Sequence, residues 1–291
     1  MKRKSAKFIF APWILALFVL IAIPLRAQDA TAQAPAELPA AANAAPPAQT
    51  AQAPPVAPPA PAAANAAPDR HVTWGGFVPN VLHDQKEIWL FPFSMARGHH
   101  LLPALVFVGG TAALAAFVDN PSGRYFQRTQ SFTEFNSIFS DSHTAWATVA
   151  FPAGFYGVGL IRRDSYAQHT FLLAGEAALD SVILATVMKD ISRREQPDEV
   201  PIGGSFTDTW FRDRGNPFGG FGSFPSGHGI EAFTIATVFA DRYPKYKWVA
   251  YGLAGLVGFS RISLQAHNPS DVFAGAFLGY VIAHYTVEHF H

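Results

Sequence analysis

Six apolar segments leave this chain little choice of architecture. They lie near residues 101–118, 144–161, 171–188, 230–240, 248–259 and 272–287. Each is longer than a typical strand, which averages about five or six residues. Several carry no charge, notably Leu101 to Val118. Segments of that length, buried or facing lipid, satisfy their backbone polar groups internally when helical. Glycines and alanines recur within them and suit close helix–helix packing. The pattern predicts an all-α fold, a helical bundle of about six apolar helices, embedded in a membrane.

Composition agrees with that reading. Hydrophobic residues make up 49% and charged residues only 14%, against about 25% charged in a soluble domain. The 21 basic and 21 acidic residues balance, so no polyanion-binding surface and no nucleic-acid partner is implied. There is no cysteine. Disulfide frameworks, zinc–thiolate sites, iron–sulfur clusters and thiol nucleophiles are therefore excluded. A length of 291 residues gives one sizeable domain plus extensions.

The extensions lie at the N-terminus. Lys2, Arg3, Lys4 and Lys7 precede an apolar run from Phe8 to about Leu25, with small residues near Ala27. Residues 1–27 read as a signal peptide or, because the run can also span a bilayer, as an uncleaved signal anchor. Residues 28–68 hold 19 alanines and 10 prolines among 41 positions and no aromatic residue. They form no core and read as a disordered, semi-rigid tether. Composition changes abruptly at Asp69-Arg70-His71, and 69–291 is expected to be one domain. Early in it, Asp84 to Phe91 mixes charge with aromatics, as a surface helix or one lying at a membrane interface does. Glu176 and Asp180, one turn apart in the third segment, are expensive against lipid and are expected to face the bundle interior or a partner, without a catalytic role.

Three polar clusters stand at the ends of apolar segments. Lys189 to Pro197, reading KDISRREQP, follows the third segment; Pro225-Ser226-Gly227-His228 precedes the fourth; Ser260-Arg261 closes the fifth, and His267 and Asp271 open the sixth. In an up-and-down bundle those ends meet on one side, so simple alternation gathers all three clusters around one pocket. Two histidines, an aspartate and several cations suit phosphoryl transfer through a histidine nucleophile. His267 and Asp271 share a helical face if the turn continues through them, so Asp271 can hold Nδ1–H and leave Nε2 to attack. His228 is free to protonate the leaving oxygen and then activate water. Lys189, Arg194 and Arg261 are candidate cations for the phosphate, and the backbone N–H groups of Ser226, Gly227 and His228 precede a helix whose dipole favours an anion.

These residues resemble the type 2 phosphatidic acid phosphatase superfamily, whose motifs are KX6RP, PSGH and SRX5HX3D. The second and third stand intact here, and the resemblance is strong over about 170–275. It implies His267 as nucleophile, Asp271 as its partner, His228 as general acid, and Lys189, Ser226, Gly227 and Arg261 as phosphate ligands. In the first motif Gln196 stands where the family has arginine. Its amide donates hydrogen bonds but supplies no charge, and Arg193 or Arg194 is expected to fill the gap. The implied activity is a cofactor-free, metal-independent phosphatase acting on a lipid phosphomonoester or pyrophosphate: phosphatidic acid, a polyprenyl pyrophosphate or a lipid A-type headgroup.

Two other readings share the motifs. One is a vanadium-dependent haloperoxidase, for which the chain is short; the other is an inactive phospholipid-binding relative. His99, His100, His284, His289 and His291 match no common metal-ligand spacing. The expected location is a bacterial cell envelope. Six spans after a cleaved signal put the pocket in the cytoplasm, whereas the basic loops at 162–168 and 241–247 put it outside; the periplasmic side is the expectation kept.

Overall fold

The computed structural model describes residues 72–98, 101–139, 141–212 and 221–289. The signal segment, the Ala/Pro tether, His99, His100 and His291 lie outside the described residues. Nine α-helices are described: α1 (Phe77–Ala96), α2 (Leu101–Phe117), α3 (Asp119–Phe126), α4 (Thr133–Ile138), α5 (Asp141–Arg162), α6 (Ser165–Ser192), α7 (Gly227–Arg242), α8 (Lys247–Ser263) and α9 (Pro269–Glu288). Among the described residues there is no strand. All six apolar segments are helices, as the all-α reading expects, and α1 carries the charged-aromatic stretch.

The centre of the bundle is α6, α7 and α9. Leu172, Leu173, Ala177 and Leu184 of α6 pack with Val238 of α7 and with Ile282 and Ala283 of α9. Truncating a core leucine such as Leu173 to alanine costs about 2–5 kcal/mol. The α7–α9 approach depends on Gly275 and Gly279. A Cβ at Gly275 would stand 2.7 Å from the Ser226 carbonyl oxygen, and one at Gly279 would stand 2.4 Å from that of Ile230. Neither fits while the backbones stay so close. Around the centre, α1 covers α6, where Asn80 donates to Glu176 (2.9 Å) and Gln85 to Asp180 (2.8 Å). Both carboxylates thus face the interior, which relieves the cost of burying them.

The short helices sit at the end of the bundle that carries the polar clusters. Pro121 removes a backbone donor and clashes with the carbonyl four residues back, so α2 stops and α3 leaves it at a 50° bend. Phe126 of α3 and Phe132 and Phe135 beside and within α4 gather on Phe259 near the C-end of α8, with centroids 5.2–6.1 Å apart. Each such pair contributes about 0.5–1.5 kcal/mol beyond area burial. The bend and this aromatic cap carry Asp119 to the mouth of the bundle.

Among the described helices, α6 alone is long and apolar enough to cross a bilayer by itself; α2 and α3 pass the same test jointly across their bend. The outer helices expose large apolar side chains, including Leu102 (71%) and Phe117 (78%) of α2 and Trp146 (72%) and Ile161 (85%) of α5.

Candidate active site

Alternation of the helices brings the C-ends of α6 and α8 and the N-ends of α7 and α9 together. At the C-end of α6, Arg193 takes a left-handed conformation (φ 41°). Such a non-glycine residue costs about 1–2 kcal/mol, and here it turns the chain so that Arg194 points inward. The loop 221–226 then runs back along 192–195. Ser223 N–H donates to the Arg194 carbonyl at 2.7 Å, Ser223 Oγ to the Glu195 carbonyl at 3.1 Å, and Ser192 Oγ to the Phe224 carbonyl at 2.9 Å. Gly222 makes the approach possible. Its φ is 101°, and a Cβ there would lie 3.4–3.5 Å from the backbone of Lys189 and Arg194.

Next, Ser226 caps α7. Its Oγ accepts from Gly229 N–H at 3.2 Å, and its own N–H donates to the Asp271 carbonyl at 3.0 Å. That cap leaves the start of the helix, with its partial positive charge, open beside the site. Lys189 reaches the same place, since its Nζ would stand 3.6 Å from a Cβ on Gly227. The charge of Lys189 also acts on Asp271 and on Glu231, one turn beyond His228. On α8, Arg261 is buried, with Nη2 on the Phe139 carbonyl and 3.4 Å from Thr144 Oγ1.

His267 is nearly buried, and its Nδ1 lies 2.7 Å from the Ser223 carbonyl oxygen. A carbonyl only accepts, so Nδ1 carries the hydrogen and Nε2 keeps its lone pair. Sequence reasoning assigns that orienting bond to Asp271, whose carboxylate stands 4.0 Å away. The reason is local: α9 begins at Pro269, so His267 lies before the helix and does not share its face. Asp271 instead accepts from Asn268 N–H (2.8 Å) and from Arg194 Nη1 (2.5 Å). Burial above all, then the charge of Lys189, holds the His267 pKa well below the ordinary histidine value, against the opposing pull of the Ser223 bond; His228 and Arg261 depress it further. The ring is therefore neutral at physiological pH.

The structure also places Arg194 differently from its expected position on the phosphate. The residue is fully buried, with Nε on Thr209 (3.0 Å), Nη1 on Ser270 (2.7 Å) and Asp271, and Nη2 on Asp119 (2.7 Å). Gln196 follows in a turn, its backbone N–H donating to Glu199 Oε2 at 3.1 Å. Lys189, Gly227, His228, Arg261 and His267 are brought to one end of the bundle, whereas Arg194 lies behind Asp271. Among the described residues no group of three or more His, Asp or Glu side chains could hold a metal ion.

Residues 168–290 match the model of the PAP2 superfamily. Lipid A 1-phosphatase of Rhizobium etli is 35% identical over 102 residues, covering 34% of this chain and 41% of that protein. Lipid A 1-phosphatase of Rhizobium johnstonii is 34% identical over 102 residues, covering 34% and 39%. The chain thus matches less than half the length of these curated relatives. A crystal structure of the first transmembrane PAP2 type phosphatidylglycerolphosphate phosphatase from Bacillus subtilis aligns over 64% of this chain and 94% of that one, with 24% identity and a TM-score of 0.41.

Sequence reasoning missed three residues of this site. Ser223 acts through a backbone carbonyl, which no side-chain pattern reveals. Ser270 stands inside the third motif as one of its unspecified positions. Asp119 left one trace, as a carboxylate directly after a charge-free apolar run.

Proposed function

We propose that this protein is a histidine-dependent lipid phosphatase of the PAP2 type. The observation that carries the reading is the His267–Ser223 hydrogen bond, because it fixes the tautomer that leaves Nε2 as a nucleophile. Nε2 attacks phosphorus, a P–N bond forms, and the P–O bond to the lipid breaks. His228, as imidazolium, gives its proton to the departing oxygen. Neutral His228 then takes a proton from water, whose oxygen attacks phosphorus and breaks the P–N bond. Inorganic phosphate leaves, and both histidines return to their starting state. Lys189, Arg261 and the N-terminus of α7 at Ser226 and Gly227 balance the charge on the phosphoryl oxygens. The residues alone account for each proton and each bond.

The substrate is proposed to be a lipid phosphate, with the 1-phosphate of lipid A first because similar proteins carry that activity in their names. The exposed apolar side chains of α2 and α5 support a bilayer around the bundle. The proposed site faces the periplasm: the basic loops at 162–168 and 241–247 favour that side, and an export signal agrees with them when one of the six segments does not cross. The test is phosphate release by the purified chain in detergent micelles from lipid A, phosphatidic acid and a polyprenyl pyrophosphate, with and without vanadate. Release that vanadate inhibits is expected. No release from any of the three overturns the reading, and vanadate-dependent halide oxidation would replace it with the haloperoxidase one.

A further inference from the structure

The geometry points to Asp119 as a positioning residue for the reaction: a carboxylate outside all three motifs that fixes the first turn of α9 and so aims the attacking histidine. This inference rests on the reading of His267 as nucleophile.

Asp119 opens α3 and is fully buried. Its Oδ1 accepts from the Ser270 backbone N–H at 3.0 Å, across 151 residues of sequence. Its Oδ2 accepts from Ser270 Oγ at 2.5 Å and from Arg194 Nη2 at 2.7 Å. Ser270 is the second residue of α9, where backbone N–H groups have no partner inside the helix. Pro269 before it has no N–H at all. Asp119 therefore supplies from a distant helix the acceptor that a local cap usually gives. Asp271 performs the neighbouring task by accepting from Asn268 N–H.

Arg194 ties the two carboxylates together, with Asp119 on Nη2 and Asp271 on Nη1. Trp210 covers its guanidinium at 4.5 Å. The Arg194 carbonyl accepts from Ser223 N–H, and the Ser223 carbonyl holds His267 Nδ1. Arg194 thus touches both supports of the histidine: its backbone fixes the ring's hydrogen-bond partner, and its side chain fixes the helix start two residues downstream. Asp119 anchors the guanidinium from the side away from Asp271. The hydrogen bonds of Asp119 run to Ser270 and Arg194, so its removal should disturb the angle of attack more than phosphate affinity.

A displacement of about 1 Å at a reacting group can cost about a hundredfold in rate. Asp119→Asn keeps the shape and an oxygen for Ser270 but removes the charge and turns an amide toward Arg194. We expect kcat on micellar lipid phosphate to fall by about 10- to 100-fold, with KM within about threefold of the parent. Arg194→Gln, and the double variant with Asp119→Asn, complete a cycle. If both act through one path, the double variant loses little more than the worse single variant. A folded Asp119→Asn protein with the parent's kcat overturns the proposal, as does a rise in KM alone, or losses that multiply in the double variant. Should Asp119→Asn fail to fold, Ser270→Ala decides: a lower kcat at unchanged KM supports the role, and the parent's kcat refutes it. If the parent releases no phosphate from any lipid, the phosphatase reading falls instead. Asp119 is then judged by amide exchange over 267–272, where faster exchange in folded Asp119→Asn supports the positioning role and unchanged exchange overturns it.

Discussion

Arg194→Ala should damage this protein far more than Arg193→Ala, although the two residues are neighbours. Arg194 stands 2.7 Å from Asp119 and 2.5 Å from Asp271, and all three side chains are fully buried. Removing it leaves two carboxylates in the interior without the cation they share. Breaking a buried pair in this way costs about 3–5 kcal/mol, out of about 5–15 kcal/mol that hold a typical domain folded. For a domain of this size that lowers Tm by about 6–20 °C. Burial already pushes the Asp271 carboxyl up to about 6 against the pull of Arg194, and without that cation it takes up a proton more readily still in the folded chain. That raised folded-state pKa makes the variant relatively more stable at low pH, and the stability is lost as pH rises through it. The Tm gap to the parent should therefore be narrower near about pH 5 than near about pH 8. Arg193 is half-buried and left-handed, and alanine there should change stability by only about 0.5–1 kcal/mol. Thermal unfolding of the parent and both variants in one detergent, at both pH values, is the assay. An Arg194→Ala protein as stable as the parent, or less harmed than Arg193→Ala, would refute the buried network as the reason for Arg194.

Three further outcomes are expected. His267→Ala should lower phosphate release by on the order of a thousandfold or more; label from a radioactive lipid phosphate should be trapped, in acid-labile form, on the parent and not on the variant. The acid limb of kcat/KM should lie below pH 6.5, because His267 is held well below its ordinary value of 6.5; an acid limb at or above pH 6.5 in a pH–rate profile would contradict a nucleophile so depressed. Gln196→Arg should raise kcat/KM about tenfold, as one charge-assisted hydrogen bond to the phosphate would, since Arg194 is engaged elsewhere; an unchanged value would place residue 196 outside the phosphate site.

The sequence by itself determined the helices and their order. Apolar runs such as Leu101–Val118 and 171–188 are too long for strands, and alternation alone sent Lys189, His228, Arg261 and His267 to one end. Local patterning is enough for that, because helix formation and burial depend on residues close in the chain. The same patterning placed Glu176 and Asp180 in the interior before any partner was visible. Tertiary structure decided what each polar group faces. The left-handed turn at Arg193 sends Arg194 inward, and the start of α9 at Pro269 rather than before His267 takes Asp271 out of reach of the imidazole. Ser223 serves through its carbonyl, and Asp119 meets Ser270 across 151 residues. Those contacts are legible only in three dimensions, because a backbone acceptor has no residue type and a long-range pair has no spacing.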